Sequence, residues 1–335
     1  MESCFFGKTL EEYAAGAESG NPPDQTELGL LHLEGNLGAE KDINLAVEWL
    51  SKAAAAKEPK AQYNLSYLYS VGLGVEKDPA KALDLLRSAA EAGYPQAEQN
   101  MGTLHILGET VPQDTEAALE WYRRAAEHGD LVALYQLGVL HLEGKNGVEG
   151  NLATAAEYFR RAAKGRLVDA QYNLAHMYYH GQGVVEDKKE AFELFSAAAK
   201  RGSPQAQYYL SLIYDSGDGA EKNPELSFYW CREAANAGIG NAEANLGMKF
   251  LSGDGTEANF EKAVPWLLKG AEKGSVGAAA CLGLMYERGD GVEPDPELSL
   301  KYHLLAADGG DAESMARAAL ALIYGESEEE DRIKR

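Results

Sequence analysis

The chain has 335 residues, of which 45% are hydrophobic and 25% are charged, a composition typical of a soluble folded protein. Its formal net charge of −22 disfavours nucleic acid as a ligand, because a phosphate backbone would be repelled. No apolar stretch reaches the roughly 18 residues of a membrane-spanning helix, and the N-terminus lacks a signal-peptide pattern. We therefore expect a cytoplasmic protein without membrane insertion, unless a leader has been removed.

The first predicted element is a single helix. Residues 8–19, KTLEEYAAGAES, have the pattern of one helix without a helical partner before it. We assign residues 1–23 to an N-terminal capping helix.

From residue 24 onward, one sequence unit recurs about every 36 residues. The clearest copy, AQYNLSYLYSVGLGVEKDPAKALDLLRSAAEAGYPQ, begins at Ala61. The other copies begin at Asp24, Ala97, Ala133, Ala170, Ala206, Ala242 and Ala278. Residues 24–313 are therefore predicted to form eight repeats of 36–37 residues, and the first residue of each copy is called position 0 below.

The first half of each repeat predicts a helix, called helix A. Position 4 is apolar, position 5 is always Gly, Ser or Ala, and position 8 is aromatic or His, which is a helical spacing. Position 11 is Gly in all eight copies and predicts a left-handed helix end. The Gly181-x-Gly183 pair resembles a phosphate-binding loop, but similar pairs recur in other repeats, so we interpret it as a turn.

The second half of each repeat predicts a helix B with its own apolar stripe. The stripe is led by Trp49, Leu85, Trp121, Tyr158, Leu194, Trp230, Trp266 and Tyr302. Small residues follow one turn later, and a Gly closes most of these helices. We expect the leading residue to belong to the core, so that Trp121→Ala would open a cavity.

The chain ends with a lone helix of type A. Residues 311–324 are predicted to form a C-terminal capping helix, because one hairpin cannot bury both of its faces alone. Residues 325–335, GESEEEDRIKR, are predicted to be an acidic, charged tail.

The repeated pattern A-x-x-N-L-G-x-x-Y-x-x-G-x-G-V, with D-x-x-K-A and A-A-x-x-G after it, resembles the Sel-1-like repeat family, relatives of the tetratricopeptide repeat. The resemblance implies an all-α, right-handed α-solenoid superhelix whose A helices line the concave surface. It also implies adaptor roles in protein assembly, without a fixed partner. Some secreted members join the two helices of a repeat through a cysteine pair. Here Cys231 and Cys281 lie in different repeats, so this bridge is not expected.

A stripe of polar and aromatic residues on the A helices is the predicted partner-binding groove. Asparagine amides both donate and accept hydrogen bonds, which suits an extended peptide, and tyrosines are favoured at recognition surfaces. The stripe contains Tyr63, Asn64, Tyr67, Asn100, Tyr135, Tyr172, Asn173, His176, Tyr179, His180, Tyr208 and Asn245. The alternative is that the asparagines only stabilise the contact between repeats.

His176 and His180 lie one helical turn apart and could share a metal ion. A zinc site needs a further ligand, however, and neither an H-E-x-x-H motif nor a nucleophile elbow is present. The three cysteines, Cys4, Cys231 and Cys281, also lack the C-x-x-C spacing of a structural zinc site. We therefore expect no cofactor and no catalytic residues.

The leading hypothesis is a non-enzymatic adaptor that binds a partner protein or extended peptide in the concave groove. The alternative is a sequestering inhibitor or immunity-type protein with one tight partner, and a metalloprotein or enzyme built on His176 and His180 comes third. The acidic charge either favours a partner with a basic surface or serves only solubility.

Overall fold

The computed structural model describes the backbone of residues 8–333 and the side chains of residues 8–323. Residues 1–7 of the predicted N-terminal cap, which include Cys4, lie outside the described residues. Within the described range the chain forms eighteen α-helices and no strand, which confirms the all-α prediction. The helices are α1 Leu10–Glu18, α2 Pro22–Glu34, α3 Ile43–Ala55, α4 Pro59–Val71, α5 Pro79–Glu91, α6 Pro95–Leu107, α7 Thr115–Glu127, α8 Leu131–Glu143, α9 Leu152–Lys164, α10 Val168–His180, α11 Lys188–Lys200, α12 Pro204–Ser216, α13 Pro224–Asn236, α14 Gly240–Ser252, α15 Phe260–Glu272, α16 Val276–Arg288, α17 Pro296–Asp308 and α18 Ala312–Ile333.

The helices belong to two compact units, Met1–Leu167 with α1 to α9 and Val168–Arg335 with α10 to α18. The A helices are the even-numbered helices α2 to α16, and the B helices are the odd-numbered helices α3 to α17. Within each unit, every A helix packs against the B helix that follows it, and also against the helix of the same unit that directly precedes it, where there is one. Each unit is therefore a stack of helical hairpins, as the repeat pattern predicts.

Every B helix begins after an Asp or Asn. The side chain of this residue accepts a hydrogen bond from a backbone N–H in the first turn of the helix, and so satisfies one of the free donors at the helix start. The capping residues are Asp42, Asp78, Asp114, Asn151, Asp187, Asn223, Asn259 and Asp295. The regular spacing of these residues thus fixes where each second helix starts.

The position-11 glycines end the A helices in the left-handed conformation, with φ between 61° and 85°. Six B helices are likewise followed by a Gly with positive φ. In the first and fourth repeats, Lys57 and Arg166 replace that Gly and adopt φ of 63° and 65°. Both residues therefore carry backbone strain that Gly would avoid.

The second Gly of the G-x-G pairs lies against the preceding repeat. A Cβ added at Gly219 would lie 2.2 Å from the carbonyl oxygen of Lys188, and one at Gly255 would lie 2.0 Å from that of Pro224. The pair is therefore a turn that allows close packing, in agreement with the sequence interpretation.

The predicted leading residue of the B-helix stripe is wrong by one position. The deeply buried residue, called the knob below, is the next one along the chain: Leu50, Leu86, Tyr122, Phe159, Phe195, Cys231, Leu267 and His303. The predicted residues, including Trp121, are only half buried. The tryptophan rings of Trp49, Trp121 and Trp266 each lie within 4.4 Å of a Lys or Arg three residues later. The rings of Trp121 and Trp266 also pack against core clusters that include the B helix of the preceding repeat.

The small residue at position 5 of helix A, called the socket below, accepts the knob. An added Cβ at Gly102 would lie 2.8 Å from the ring of Tyr122, and one at Gly138 would lie 2.6 Å from that of Phe159. Real Cβ atoms do not approach so closely, so a small side chain is required for each hairpin to close.

The last helix is longer than the predicted range of residues 311–324. It continues to Ile333, through most of the segment assigned to the charged tail. Glu, Arg and Lys have high helix propensity, which accounts for the extension.

Candidate partner-binding face

In the first unit, the predicted groove residues meet on α4 and α6. The Asn100 Nδ2 atom lies 3.5 Å from the Tyr63 hydroxyl, so these two residues join consecutive A helices. Asn64 instead donates to the carbonyl oxygen of Lys60 in its own helix, at 2.7 Å. The side chain of Tyr67 is 58% exposed and has no comparable role in packing.

A cleft of about 450 Å³ opens between α4, α5 and α6. Its apolar lining comes from Leu83, Leu86 and Leu104, of which Leu86 is a knob. Its polar lining includes Tyr63, Ser66, Tyr67, Ser70, Lys77, Asn100, Thr103 and Thr110. The cleft therefore combines an apolar floor with hydroxyl, amide and ammonium groups, the pattern of a recognition pocket.

Tyr135 takes a different place in the first unit. Its ring packs at 5.7 Å from that of Phe159, the knob of the fourth repeat. This residue is half buried and contributes to the hairpin core more than to an open surface.

In the second unit, the predicted residues of α10 form an aromatic cluster. The rings of His176 and His180 are 4.4 Å apart, and the rings of Tyr172 and His176 are 6.3 Å apart. The ring of Tyr179 lies 5.0 Å from that of His180 and 3.7 Å from the ammonium group of Lys188. The structure therefore brings these four residues together on α10.

Tyr209 of α12 is the centre of this cluster, and sequence reasoning missed it. Its ring contacts the rings of Tyr172, His176, Tyr179, His180 and Tyr208, and it stacks on the knob Phe195 at 4.7 Å. Tyr209 occupies position 3, where four other repeats have Asn. This break in the asparagine series was the available signal.

Positions 2 and 3 of consecutive repeats contact each other. The Tyr63 hydroxyl is paired with the Asn100 amide, and the Tyr172 ring meets the Tyr209 ring edge to face. Burial raises the pKa of Tyr208, and the Asn245 side chain of the next repeat partly offsets this rise. The Asn173 amide donates to the carbonyl oxygen of Asp169 in its own helix, at 3.1 Å. Some of the asparagines therefore link repeats. This role is compatible with ligand contact, because the side-chain amide has further hydrogen-bond donors and acceptors.

Burial sets the electrostatics of the second cluster. The pKa of His176 is lowered, first by burial and then by the nearby charge of His180. The pKa of Tyr209 is raised by burial among the other tyrosines. His176 therefore favours its neutral form in this environment.

A metal site is not assembled by these histidines. Among the residues that the structure describes, no group of three or more His, Cys, Asp or Glu side chains could hold a metal ion. Cys231 is a knob with no exposed surface, and burial raises the pKa of its thiol to about 12.

Two buried charges that the sequence pattern did not reveal form ion pairs, one within the hairpin of the third repeat and one that also joins the sixth and seventh repeats. Glu98 is fully buried, 3.0 Å from the Arg124 guanidinium and 2.7 Å from Nδ1 of His128. Lys249 is also buried, with its ammonium 2.8 Å from Asp215 and 2.7 Å from Asp254. None of these charged residues lines the cleft or takes part in the ring contacts of the aromatic cluster.

Helical hairpins with glycine-ended A helices and Asp- or Asn-capped B helices define a tetratricopeptide-like α-solenoid protein. The family model described as Sel1 repeat matches residues 22–57, 59–94, 95–130, 131–166, 168–203, 204–239, 240–275 and 278–311. The chain therefore belongs to the Sel1 repeat family, as its sequence pattern indicated, and has eight repeats.

Two solved structures illustrate the similarity. A protective antigen of uropathogenic Escherichia coli strains, displaying an SLR fold, is 31% identical, with a TM-score of 0.71 over 94% of this chain and 75% of that one. A Sel1 repeat protein from Oxalobacter formigenes is 28% identical, with a TM-score of 0.63 over 94% of this chain and 90% of that one. No match is found among curated proteins.

The Sel1 repeat scaffold is typical of protein-interaction proteins, and members of the family are generally non-enzymatic adaptors. No helix within residues 8–333 is long and apolar enough to span a membrane.

Proposed function

We propose that this protein is a non-enzymatic adaptor that binds a partner protein or an extended peptide in the groove that its A helices line. The observation that carries the proposal is the cleft between α4, α5 and α6. A volume of about 450 Å³ accommodates one large side chain of a partner, and burial of an apolar side chain against the apolar floor stabilises the complex.

The rim of the cleft provides specificity. Tyr67 offers a large exposed surface with few rotatable bonds, and Asn100 provides an amide beside it. Lys77 adds one positive charge, which favours a carboxylate or a carbonyl close to the bound side chain.

The aromatic cluster of the second unit supports the same function independently. Tyr172, His176, Tyr179, His180 and Tyr209 form a continuous set of half-buried or exposed rings on α10 and α12. Aromatic side chains dominate the energetics of protein interfaces, so this cluster is a second contact region.

The net charge of −22 contributes through long-range attraction. A partner with a basic surface would associate faster at low ionic strength than a neutral one. The rate of association should therefore fall as salt is added.

The test is affinity capture from native lysate with the tagged full chain, read by mass spectrometry and then by affinity measurements on each captured protein. Tyr67→Ala should weaken capture because it removes an exposed contact without opening the core. The double variant Asn100→Ala with Asn173→Ala should also weaken it, with the melting temperature changed by only a few degrees.

The matched control is Tyr229→Ala, since Tyr229 is 42% exposed but lies on the B helix α13. If Tyr67→Ala and the double asparagine variant capture the same partners as wild type with equal affinity, binding at the A-helix face would be contradicted. Several partners of moderate affinity support an adaptor, whereas one very tight partner supports the sequestering inhibitor instead.

A further inference from the structure

The last helix, α18, repeats the A-helix pattern without a B helix after it among the described residues. Counted from Ser314 as position 0, Ala318 is at position 4, Ala319 at the socket position 5 and Gly325 at position 11. Ser314 and Ala318 are 1% and 3% exposed, and α18 packs against α17. The face of α18 that is turned toward the preceding repeat therefore packs as in the other A helices.

The opposite face of α18 is exposed to solvent. The socket residue is buried in all eight other A helices, and where it is Gly the knob of the following B helix lies against it. Ala319, in contrast, is exposed. Met315 at position 1 and Leu322 at position 8 flank this socket and are 47% and 48% exposed. Six of the eight A helices have Gln or Glu where α18 has Met315.

The hairpins of the chain itself show what such a surface accepts. In the five hairpins whose socket is Gly, the knob side chain lies directly against the socket. In all eight, two small residues follow the knob at the third and fourth positions, such as Ala162 and Ala163 after Phe159. On the exposed face of α18, Met315, Ala319 and Leu322 occupy positions 1, 5 and 8, the positions that a ninth B helix would cover.

We propose that α18 binds an amphipathic, positively charged helix of a partner protein on the face that no helix of the described residues covers. The partner helix has a large apolar residue followed at the third and fourth positions by two small residues. Positive charge is required because the chain carries −22, and because the sequence GESEEED from Gly325 onward has five acidic residues.

A second copy of the chain is the less favourable occupant. Its α1 has a B-like pattern in Tyr13, Gly16 and Ala17, but it has 9 residues where the B helices have 13. Two acidic chains would also repel each other at their approaching ends.

The test uses the full chain and labelled peptides that copy its own B helices, with binding followed by fluorescence anisotropy. Residues 151–166 contain Phe159 as knob, four basic residues and one acidic residue, a net charge of +3. Residues 78–93 contain Leu86 as knob, two basic residues and three acidic residues, a net charge of −1. We expect saturable binding of the first peptide and weaker binding of the second, with the difference decreasing as salt is added.

Ala319→Arg fills the socket and should weaken binding of the +3 peptide by at least about tenfold, or about 1.4 kcal/mol. Ala316→Arg adds the same charge at another exposed position of the same helix and should leave binding nearly unchanged. A wild-type chain that does not bind the +3 peptide would overturn the proposal, as would equal binding by the two Arg variants. A dimer in light scattering that Ala319→Arg dissociates would assign the surface to a second copy and overturn it as well.

Discussion

The knob and its half-buried neighbour on α7 allow a direct test of the hairpin core. Tyr122 is 2% exposed, its ring fills the socket above Gly102, and its hydroxyl lies 3.0 Å from Oγ1 of Thr103. Trp121 is larger but half buried, with the Arg124 guanidinium 4.4 Å from its ring. The geometry predicts that the smaller residue matters more to stability.

Tyr122→Ala should destabilise the chain by about 3–5 kcal/mol, because it removes a full aromatic ring and leaves a cavity beside Gly102. Tyr122→Phe should cost only about 1 kcal/mol, since it keeps the ring and loses one hydrogen bond. Trp121→Ala should cost about 1–2 kcal/mol, because only part of its surface is buried.

The assay is urea unfolding followed by far-ultraviolet circular dichroism, with both the midpoint and the slope compared between variants. The first unit should lose its transition at lower urea in Tyr122→Ala, because repeat stability is transmitted mainly to neighbours. A larger loss for Trp121→Ala than for Tyr122→Ala would refute the assignment of the knob.

Three further predictions concern charge and backbone strain. Burial lowers the pKa of His176 in the folded chain, so the unfolded state binds protons more readily, and stability should fall as the pH drops below about 6.5. In thermal melts the fall should be smaller for His176→Phe than for wild type. Identical pH profiles of the two proteins would contradict this prediction. Lys57→Gly should raise the free energy of unfolding by roughly 0.5–1 kcal/mol, because it removes a left-handed Lys, and no gain in urea would count against that strain. Glu98→Gln should lower stability by roughly 1–3 kcal/mol, since it leaves Arg124 and His128 without their buried carboxylate, and an unchanged midpoint would argue against the ion pairs.

Much of the fold can be predicted from the sequence because the same local signals recur eight times. The position-11 glycines predict the helix ends, and the small residue at position 5 predicts close helix packing. The sequence pattern predicted Trp121 instead of Tyr122 as the core residue, because both positions are apolar in most repeats although they point about 100° apart on the helix. Their burial depends on which neighbouring helix each one faces.

The candidate site was predictable in part. The spacing of Tyr172, His176, Tyr179 and His180 placed them on one helix face, and the structure brings them together. Tyr209 was missed because its contacts join two repeats, and a search for a repeated Asn passes over the four repeats that lack Asn at position 3. The cleft beside Tyr67 also depends on three helices and has no signature in any one of them.

The central claim is that partners bind along the A-helix face, and site-specific photo-crosslinking tests it most directly. A photoreactive phenylalanine analogue at position 67, on α4, should form adducts with captured partner proteins in native lysate. The same analogue at position 229, on the B helix α13, should form few or none. Adducts at position 229 without adducts at position 67 would contradict the account.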